Sequence, residues 1–196
     1  MKLFLDWLFW VNRTEKIKIL IFSQEFIEVI CTENCEIENY SNTTLNKYNH
    51  FDVIYIPFFK KDMSKEEILP KFIFSLLKKN GLIVLPVNRY KSSVLNKIYR
   101  RIFYNKNYNN EFSGLPRQKL PFLLTTYNLK IQKELFVFPS IIKPWTISDN
   151  PNFIRNFKNT KKRTLKNRLI YNLLTSNLGV QLVKKYWNDK ILFLNG

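Results

Sequence analysis

The hydrophobic positions of the sequence form short apolar runs, separated by stretches in which apolar residues recur with helical spacing. A strand alternates apolar and polar residues, or is apolar throughout when its sheet is covered on both faces. The run FDVIYIPFF at 51–59 is apolar almost throughout and predicts a central strand of a parallel sheet. The strands predicted in this way are 16–22, 25–31, 51–59, 82–87, 129–140 and 190–196.

Helical spacing and capping residues place helices between these strands. Ser64 followed by Glu67 forms a capping box, which predicts a helix from residue 64 to Gly81, a glycine suited to the left-handed position after a helix. Another helix is predicted within 116–128, with Asn128 in the left-handed position that ends it. The remaining predicted helices are 3–13, 91–104 and 152–187, the last of them broken near 177–179.

Strands that alternate with helices predict one α/β domain over residues 1–196, built on an open, mostly parallel sheet. The pattern leaves open whether the last two strands pair in parallel or antiparallel. The N-terminal segment 1–13 is predicted to be an amphipathic helix with two interpretations. It packs on the core, or it anchors the protein at a membrane surface with Trp7 and Trp10 at headgroup depth.

Charge is distributed unevenly along the chain. Residues 1–67 contain 11 of the 15 acidic residues and 8 basic ones, whereas residues 68–196 contain 24 basic and 4 acidic residues. The chain has no alanine and is rich in Asn, Lys, Ile, Phe and Tyr, whose codons are AT-rich, so an AT-rich genome contributes to the net charge of +17. Codon bias alone would not segregate charge in this way. We therefore expect a polyanionic partner, foremost RNA or a ribonucleoprotein, and the alternatives are a merely solvated basic face and an anionic lipid surface.

Two segments concentrate the basic residues. Within 89–106 they are interleaved with aromatic residues, a combination that suits phosphates and unpaired bases. The segment 155–168 is predicted to be a basic arm that becomes ordered on RNA, and its alternative interpretation is a solvated loop. The candidate nucleic-acid-binding residues are Arg89, Lys97, Arg100, Arg101, Lys158, Lys161, Lys162, Arg163, Lys166 and Arg168.

The cysteine and histidine content argues against a metal site. Cys31 and Cys35 are the only cysteines and His50 is the only histidine, too few ligands for a closed zinc site. No apolar stretch is long enough to span a bilayer, and the N-terminus lacks the pattern of a signal or transit peptide. These features favour a soluble, non-secreted protein in a reducing compartment, the cytoplasm or an organelle matrix.

The middle and end of the chain carry the pattern of a known family. FDVIYIPFF, a segment ending in LLKKNG, and LIVLPVN together resemble the fourth strand, following helix and fifth strand of class I S-adenosylmethionine-dependent methyltransferases. PFLLTTYNLKIQKELFVFPSIIKPWTI is similar to their next helix and sixth strand, and KILFLNG stands where their seventh strand lies. The resemblance covers residues 51–196. It implies a Rossmann-like methyltransferase-type sheet, shortened in the N-terminal half, where only about thirty residues separate the first and fourth strands.

The chain departs from this family where the cofactor would bind. Members of the family bind the cofactor over a Gly-rich turn after the first strand, whereas the turn here is FSQEF, without glycine. The family also holds the ribose with an acid at the end of the second strand, and amino-group methyltransferases place Asn-Pro-Pro and an aromatic residue after the fourth, where this chain has IPFF. If a cofactor binds, the resemblance implies Ser23, Glu36, Pro57 and Phe58 as its contacts.

Three functions are consistent with these observations. The sequence favours a degenerate, non-catalytic methyltransferase-like domain that binds RNA in a ribonucleoprotein assembly, with no cofactor and no catalytic residue. The second is an active S-adenosylmethionine-dependent methyltransferase with a divergent cofactor site. The third is a peripheral membrane or complex-assembly subunit that docks through residues 1–13.

Overall fold

The computed structural model describes residues 2–4, 16–23, 28–30, 35–57, 69–88, 114–138, 146–151, 169 and 172–196. Within these ranges strands alternate with short helices. The strands are β1 (Lys2–Phe4), β2 (Ile17–Ile21), β3 (Glu28–Ile30), β4 (Cys35–Asn39), β5 (Phe51–Tyr55), β6 (Leu77–Asn88), β7 (Leu115–Pro116), β8 (Lys130–Phe138), β9 (Thr146–Ser148) and β10 (Asp189–Asn195). The helices are α1 (Ile73–Leu76), α2 (Leu120–Thr126) and α3 (Asn177–Leu182), with 3-10 turns at Asn42–Asn46 and Arg117–Lys119 and a π-helical turn at Val183–Trp187.

Eight of these strands form one mixed sheet in the order β4-β2-β5-β6-β10-β8-β9, with β7 paired to the end of β6. Strands β4, β2, β5 and β6 are parallel. The last strand, β10, lies between β6 and β8 and runs antiparallel to both, so β8 has the direction of β6. The predicted open, mostly parallel α/β sheet is therefore confirmed, and the pairing that the sequence left open is antiparallel.

Both faces of the sheet are buried. Neighbouring residues of a strand point to opposite faces, and buried apolar residues lie on each face. Leu20 and Ile54 lie on the face that packs against α1 and α2, together with Leu123 of α2. Ile19 and Val53 lie on the opposite face, also with no exposed surface. Burial on both faces explains why the parallel strands read as continuous apolar runs.

The N-terminal half of the sheet is short. Residues 40–50, all of which the structure describes, connect β4 to β5 through one 3-10 turn and contain no strand. The first and second strands of the methyltransferase-type sheet are therefore followed directly by the fourth. This agrees with the shortening that the resemblance implies.

The predicted helix from residue 64 to Gly81 is wrong in its second half. α1 covers only Ile73–Leu76, and β6 begins at Leu77, which pairs with Phe51 of β5. Asn80, not Gly81, has the left-handed conformation, with a φ of 70°. Gly81 is needed for another reason, because a Cβ atom there would lie 2.7 Å from the Leu77 side chain.

The N-terminal segment also differs from its prediction. Leu3 and Phe4, the first residues of the predicted helix 3–13, belong to β1, which pairs in parallel with β3 in a separate two-stranded sheet. Pairing with a segment about 26 residues away supplies the backbone hydrogen bonds, and local periodicity does not reveal such a partner. The rest of 1–13 lies outside the described residues. The predicted strand at 25–31 is confirmed for Glu28–Ile30.

The described part of the C-terminal region follows its pattern, whereas residues 152–168 of the predicted helix 152–187 lie outside the described residues. Asn128 has a φ of 51° after α2, as predicted for the residue that ends this helix. The predicted break falls at Ser176, whose hydroxyl accepts a hydrogen bond from the Gly179 N–H and caps α3. Among the described helices, none has the length and apolar character needed to cross a membrane.

Candidate ligand site at the switch point of the sheet

The strand order reverses between β2 and β5. The chain leaves β2 for β4 on one side and returns to β5 on the other side of β2. In open α/β sheets this reversal separates the loops at the carboxyl ends of the strands and creates the crevice where ligands bind. Phe22 and Ser23 follow β2 at this crevice, and Ile56 and Pro57 follow β5. This crevice is therefore the candidate site.

Two backbone donors that the structure describes at this corner, the N–H groups of Phe22 and Ser23, are bonded within the protein. The N–H of Phe22 donates to the carbonyl oxygen of Tyr55 at 2.8 Å, and the N–H of Ser23 donates to that of Ile21 at 3.2 Å. The carbonyl oxygen of Ile21 also accepts from the N–H of Tyr40 at 3.0 Å. A Gly-rich phosphate or cofactor turn works by presenting free N–H groups to its ligand. The N–H groups of Phe22 and Ser23 are directed elsewhere.

Three aromatic rings meet above this corner. The ring centroids of Phe22 and Tyr40 are 4.7 Å apart, and those of Phe22 and Phe72 are 6.0 Å apart. Tyr40 and Phe72 are stacked at 6.1 Å with an interplanar angle of 24°. All three are half-buried and pack on the apolar face that contains Leu20. This aromatic trio, Phe22, Tyr40 and Phe72, joins the carboxyl ends of β2 and β4 to the turn before α1.

The acid at the end of β4 is engaged as well. Glu38 accepts a hydrogen bond from the Thr44 hydroxyl at 3.1 Å through one oxygen and from Lys47 Nζ at 2.6 Å through the other. Thr44 is fully buried, and its Oγ1 also accepts the backbone N–H of Ser41 at 3.1 Å. Both carboxylate oxygens of Glu38 thus stabilise the turn Asn42–Asn46, which replaces the missing strand and helix.

The structure describes three of the four residues that the resemblance implies as cofactor contacts, and Phe58 lies outside the described residues. Ser23 and Pro57 lie at the switch point. Glu36 lies apart from them, because β4 begins at Cys35 and Glu36 sits near its amino end, opposite Lys18 of β2. Its carboxylate is 3.6 Å from Lys16 Nζ. The residue at the carboxyl end of β4 is Asn39, about 10 Å further along the strand.

The structure does not test the predicted nucleic-acid contacts. All ten residues, from Arg89 to Arg168, lie outside the described residues. The same holds for Cys31. Cys35 carries a free thiol at the start of β4. Among the residues that the structure describes, no three His, Cys, Asp or Glu side chains gather in a metal-binding group.

A charged cluster at the opposite end of the strands escaped the sequence analysis. Asp52 of β5 is almost buried and accepts hydrogen bonds from the Lys18 backbone N–H at 3.0 Å and from Lys78 Nζ at 3.0 and 3.1 Å. Lys18 Nζ lies 3.3 Å from Nε2 of the half-buried His50. The signal was an acidic residue inside the apolar run FDVIY, which requires a partner when the strand is buried.

A second polar contact lies where β6 and β10 meet. The Arg117 guanidinium donates to the carbonyl oxygens of Asn188 at 3.1 Å and Lys185 at 3.4 Å, and to Asn188 Oδ1 at 3.2 Å. Asn188 is fully buried. Helix C-termini leave carbonyl groups without intrahelical partners, and a cationic donor satisfies them. Arg117 thereby fixes the end of the π-helical turn to the start of α2.

Comparisons with known proteins concern the fold. No protein-family model matches the sequence, and no curated protein sequence matches it significantly. A SAM-dependent methyltransferase from Archaeoglobus fulgidus aligns with a TM-score of 0.45 and 13% identity, over 92% of this chain and 86% of that one. A Galdieria sulphuraria protein described as a sarcosine dimethylglycine methyltransferase aligns with a TM-score of 0.38 and 9% identity, over 92% and 78%. The cyclase SpnF aligns with a TM-score of 0.39 and 11% identity, over 92% and 74%.

The strands themselves decide the fold type. β5, β6, β8 and β10 occupy the places that the sequence resemblance assigns to the fourth to seventh strands of class I methyltransferases. The fold is methyltransferase-like. Its candidate site is the switch point between β2 and β5, where aromatic side chains and internally bonded N–H groups stand in place of a glycine-rich turn.

Proposed function

We propose that this chain is a non-catalytic methyltransferase-like protein that binds RNA within a ribonucleoprotein assembly. The observation that carries the first part is the aromatic trio at the switch point. Phe22 follows β2 directly, and its ring contacts Tyr40 and Phe72 in the space beside the strand end where a nucleoside would approach the backbone. Side chains of the protein occupy that space.

The polar groups at the same corner support this proposal. The N–H groups of Phe22 and Ser23 are bonded to backbone oxygens, and both oxygens of Glu38 are bonded to Thr44 and Lys47. A cofactor that used these groups would have to exchange their internal hydrogen bonds for its own. The exchange of one hydrogen bond for another gives little net free energy, so these groups would contribute little to cofactor binding.

The charge of the chain supports the second part. Residues 68–196 carry 24 basic residues and 4 acidic ones. Two acids of the sheet, Asp52 and Glu134, are each paired with a lysine at 3.0 and 2.7 Å. Acidic side chains thus serve local pairs, while the segments 89–106 and 155–168 have a surplus of Arg and Lys suited to phosphates.

Calorimetric titration with S-adenosylmethionine tests the first part. We expect no binding up to millimolar cofactor, because the trio fills the corner. Micromolar binding would overturn the non-catalytic assignment. Purified protein that has been freed of nucleic acid is required, and a thermal-shift series with adenosine serves as an independent readout.

Salt-dependent RNA binding tests the second part. The variant Lys161→Glu, Lys162→Glu, Arg163→Glu should lower the slope of log affinity against log salt by about three. The matched control reverses three exposed lysines outside both basic segments, Lys71, Lys79 and Lys130. An equal loss in both variants would show unspecific attraction to the whole molecule and would contradict a binding role for the arm 155–168.

An active methyltransferase with a divergent cofactor site is the second candidate. One observation favours it, since Ser23 and Pro57 do lie together at the switch point and the trio is half-buried, not fully buried. The cofactor titration separates the two candidates directly. Detection of methyl transfer from labelled cofactor to RNA or protein would establish the second.

A further inference from the structure

Three leucines near the C-terminus stand out from the protein surface. Leu169, Leu173 and Leu178 are 64%, 43% and 69% exposed. Side chains exposed to this extent project from the surface and do not line a groove. A group of large apolar side chains in water marks a surface that meets another molecule.

The backbone holds two of these leucines next to each other. The Ser176 hydroxyl donates to the Leu173 carbonyl oxygen at 2.6 Å and accepts from the Gly179 N–H at 3.1 Å. Gly179 lies so close that an added Cβ would be 1.8 Å from the Leu173 oxygen. The residue before Gly179 is Leu178, so Leu173 and Leu178 flank one tight contact. Leu169 and Leu173 both have helical conformation and are four positions apart in the sequence, the spacing of neighbours on one face of a helix.

Basic side chains adjoin this leucine corner, which we define as Leu169, Leu173 and Leu178. α3 leads from Leu178 into the π-helical turn, where Lys184 and Lys185 are exposed. The contact of Arg117 with the Lys185 carbonyl oxygen brings the turn Arg117–Lys119 to the same flank. Asp189, the next acid along the chain, is buried. The sequence from 151 to 187 contains nine basic residues and no acidic residue.

We propose that the leucine corner and its lysines dock the protein on an anionic membrane surface. Exposed leucines flanked by Lys and Arg form the composition that binds at the lipid interface, where apolar groups enter the acyl boundary and cations meet the headgroups. Leucine offers neither a hydrogen bond nor a ring face to a nucleic-acid base. A bilayer accepts projecting apolar side chains of any shape, whereas a protein partner must supply complementary pockets.

Vesicle flotation of the full chain, freed of nucleic acid, tests this proposal. We expect binding to vesicles of phosphatidylcholine with phosphatidylglycerol and much weaker binding to phosphatidylcholine alone. Leu169→Ser with Leu173→Ser and Leu178→Ser should lower the partition coefficient by roughly a hundredfold. Replacing Lys184 and Lys185 by Gln should lower it by about fivefold for each lysine at low salt, and less at high salt.

The matched control carries three serines at exposed apolar positions elsewhere, Leu45, Tyr48 and Ile131. This variant should bind vesicles like the original protein. Each variant must keep the thermal midpoint and the circular dichroism spectrum of the original protein. We expect this because the replaced side chains are exposed. Equal vesicle binding by the leucine variant and the original protein would overturn the proposal, as would no binding to anionic vesicles. Loss of RNA binding with unchanged vesicle binding in the leucine variant would assign the corner to nucleic acid instead.

Discussion

The two ends of the parallel strands differ in chemistry. At the carboxyl ends of β2 and β4, Phe22 and Tyr40 meet the ring of Phe72. At the amino ends of β2, β5 and β6, Asp52 binds Lys18 and Lys78. Open α/β sheets place ligands at the carboxyl ends, so polar groups are expected there. In this protein the buried charge lies at the other end.

The buried carboxylate of Asp52 therefore lies at the end of the strands opposite to the one where ligands bind in such folds. A carboxylate in a buried strand is costly unless several donors surround it, and Asp52 receives three hydrogen bonds. Those bonds tie three neighbouring strands together. At the opposite end the aromatic trio is joined by the Glu38–Lys47 pair and by Asn39, whose buried Oδ1 has no hydrogen-bond partner among the described residues. The charge at the amino end is therefore satisfied within the protein, whereas the carboxyl end keeps one unpaired acceptor.

The largest effect is expected when the charged end is broken. Asp52→Ala leaves the Lys18 N–H without its acceptor and removes the partner of Lys78. We expect a loss of about 3 kcal/mol in the free energy of unfolding, most of it from the unpaired N–H, because Lys78 is 43% exposed and its charge is screened. Urea denaturation followed by circular dichroism measures this loss.

The matched control is Glu36→Gln. Glu36 lies two strands away from Asp52, on β4, and faces Lys16 at 3.6 Å, but both side chains are at least half exposed. Such a pair contributes less than about 0.5 kcal/mol. Similar losses in the free energy of unfolding for the two substitutions would mean that the cluster around Asp52 contributes no more than an exposed surface pair. The proposed difference between the two ends of the strands would then be contradicted.

A substitution in the aromatic trio should lower the free energy of unfolding less than Asp52→Ala does, but it should change ligand binding measurably. Phe22→Ala removes a half-buried ring and should cost about 2 kcal/mol. It also empties the space between Tyr40 and Phe72. Millimolar affinity for adenosine in the variant, with none in the original protein, is the expected result by calorimetry. Leu45→Ala, which truncates a side chain that is 37% exposed, serves as the control without a new hollow.

The aromatic trio shows which features could be predicted from the sequence and which could not. A turn without glycine after β2 was readable from the residues alone, because FSQEF lies directly after an apolar run. The partners of Phe22 were not, since Tyr40 and Phe72 come from distant positions and meet only through the folded sheet. Asp52 and Lys78 are 26 positions apart for the same reason. Local patterns specify elements, whereas contacts across strands require the topology.

The boundary between α1 and β6 shows the same limit. KFIFSLLKK has helical spacing, and the pattern extended the helix to Gly81. Leu77 instead pairs with Phe51, so the partner strand decides its conformation. The strands β2, β5, β8 and β10 were predicted well because each contains an apolar or alternating run bounded by polar residues. The position of Glu36 near the amino end of β4 could not be read from spacing, because the register of the strand depends on its pairing with β2.

Alkaline titration provides the third test, at the carboxyl end of β5. Tyr55 is buried there, and burial raises the pKa of its phenol well above the ordinary value. The folded protein keeps Tyr55 neutral, while the unfolded chain ionises above pH of about 10, so stability falls as pH rises past that point. We expect a slope of up to about 1.4 kcal/mol per pH unit from this group. Tyr55→Phe should flatten the decline by one proton in denaturation curves, and an unchanged slope would contradict this assignment.

The smallest effect is expected at the irregular start of β6, where the pairing with β5 shifts register between Leu77 and Leu82, a stretch that contains Lys78 and Asn80. Asn80 has a φ of 70°, a left-handed conformation that Asn tolerates better than Ala. Asn80→Ala should lower the free energy of unfolding by about 1 kcal/mol, and Asn80→Gly should leave it nearly unchanged. Asn128, with a φ of 51° after α2, is the comparison site, since Asn128→Ala meets the same backbone cost without a charged cluster nearby.

A double-mutant cycle then isolates the contribution of Asn80 to the charged end. If the backbone at Asn80 positions Lys78, Asn80→Ala and Asp52→Ala together will cost less than the sum of their separate effects, because the second change removes what the first disturbs. Asn128→Ala and Asp52→Ala should add, since Asn128 follows α2, whereas Lys18 and Lys78, which donate to Asp52, lie in β2 and β6. Additivity in both cycles would mean that Lys78 reaches Asp52 whatever the conformation of Asn80. The amino end would then be held by the strands alone.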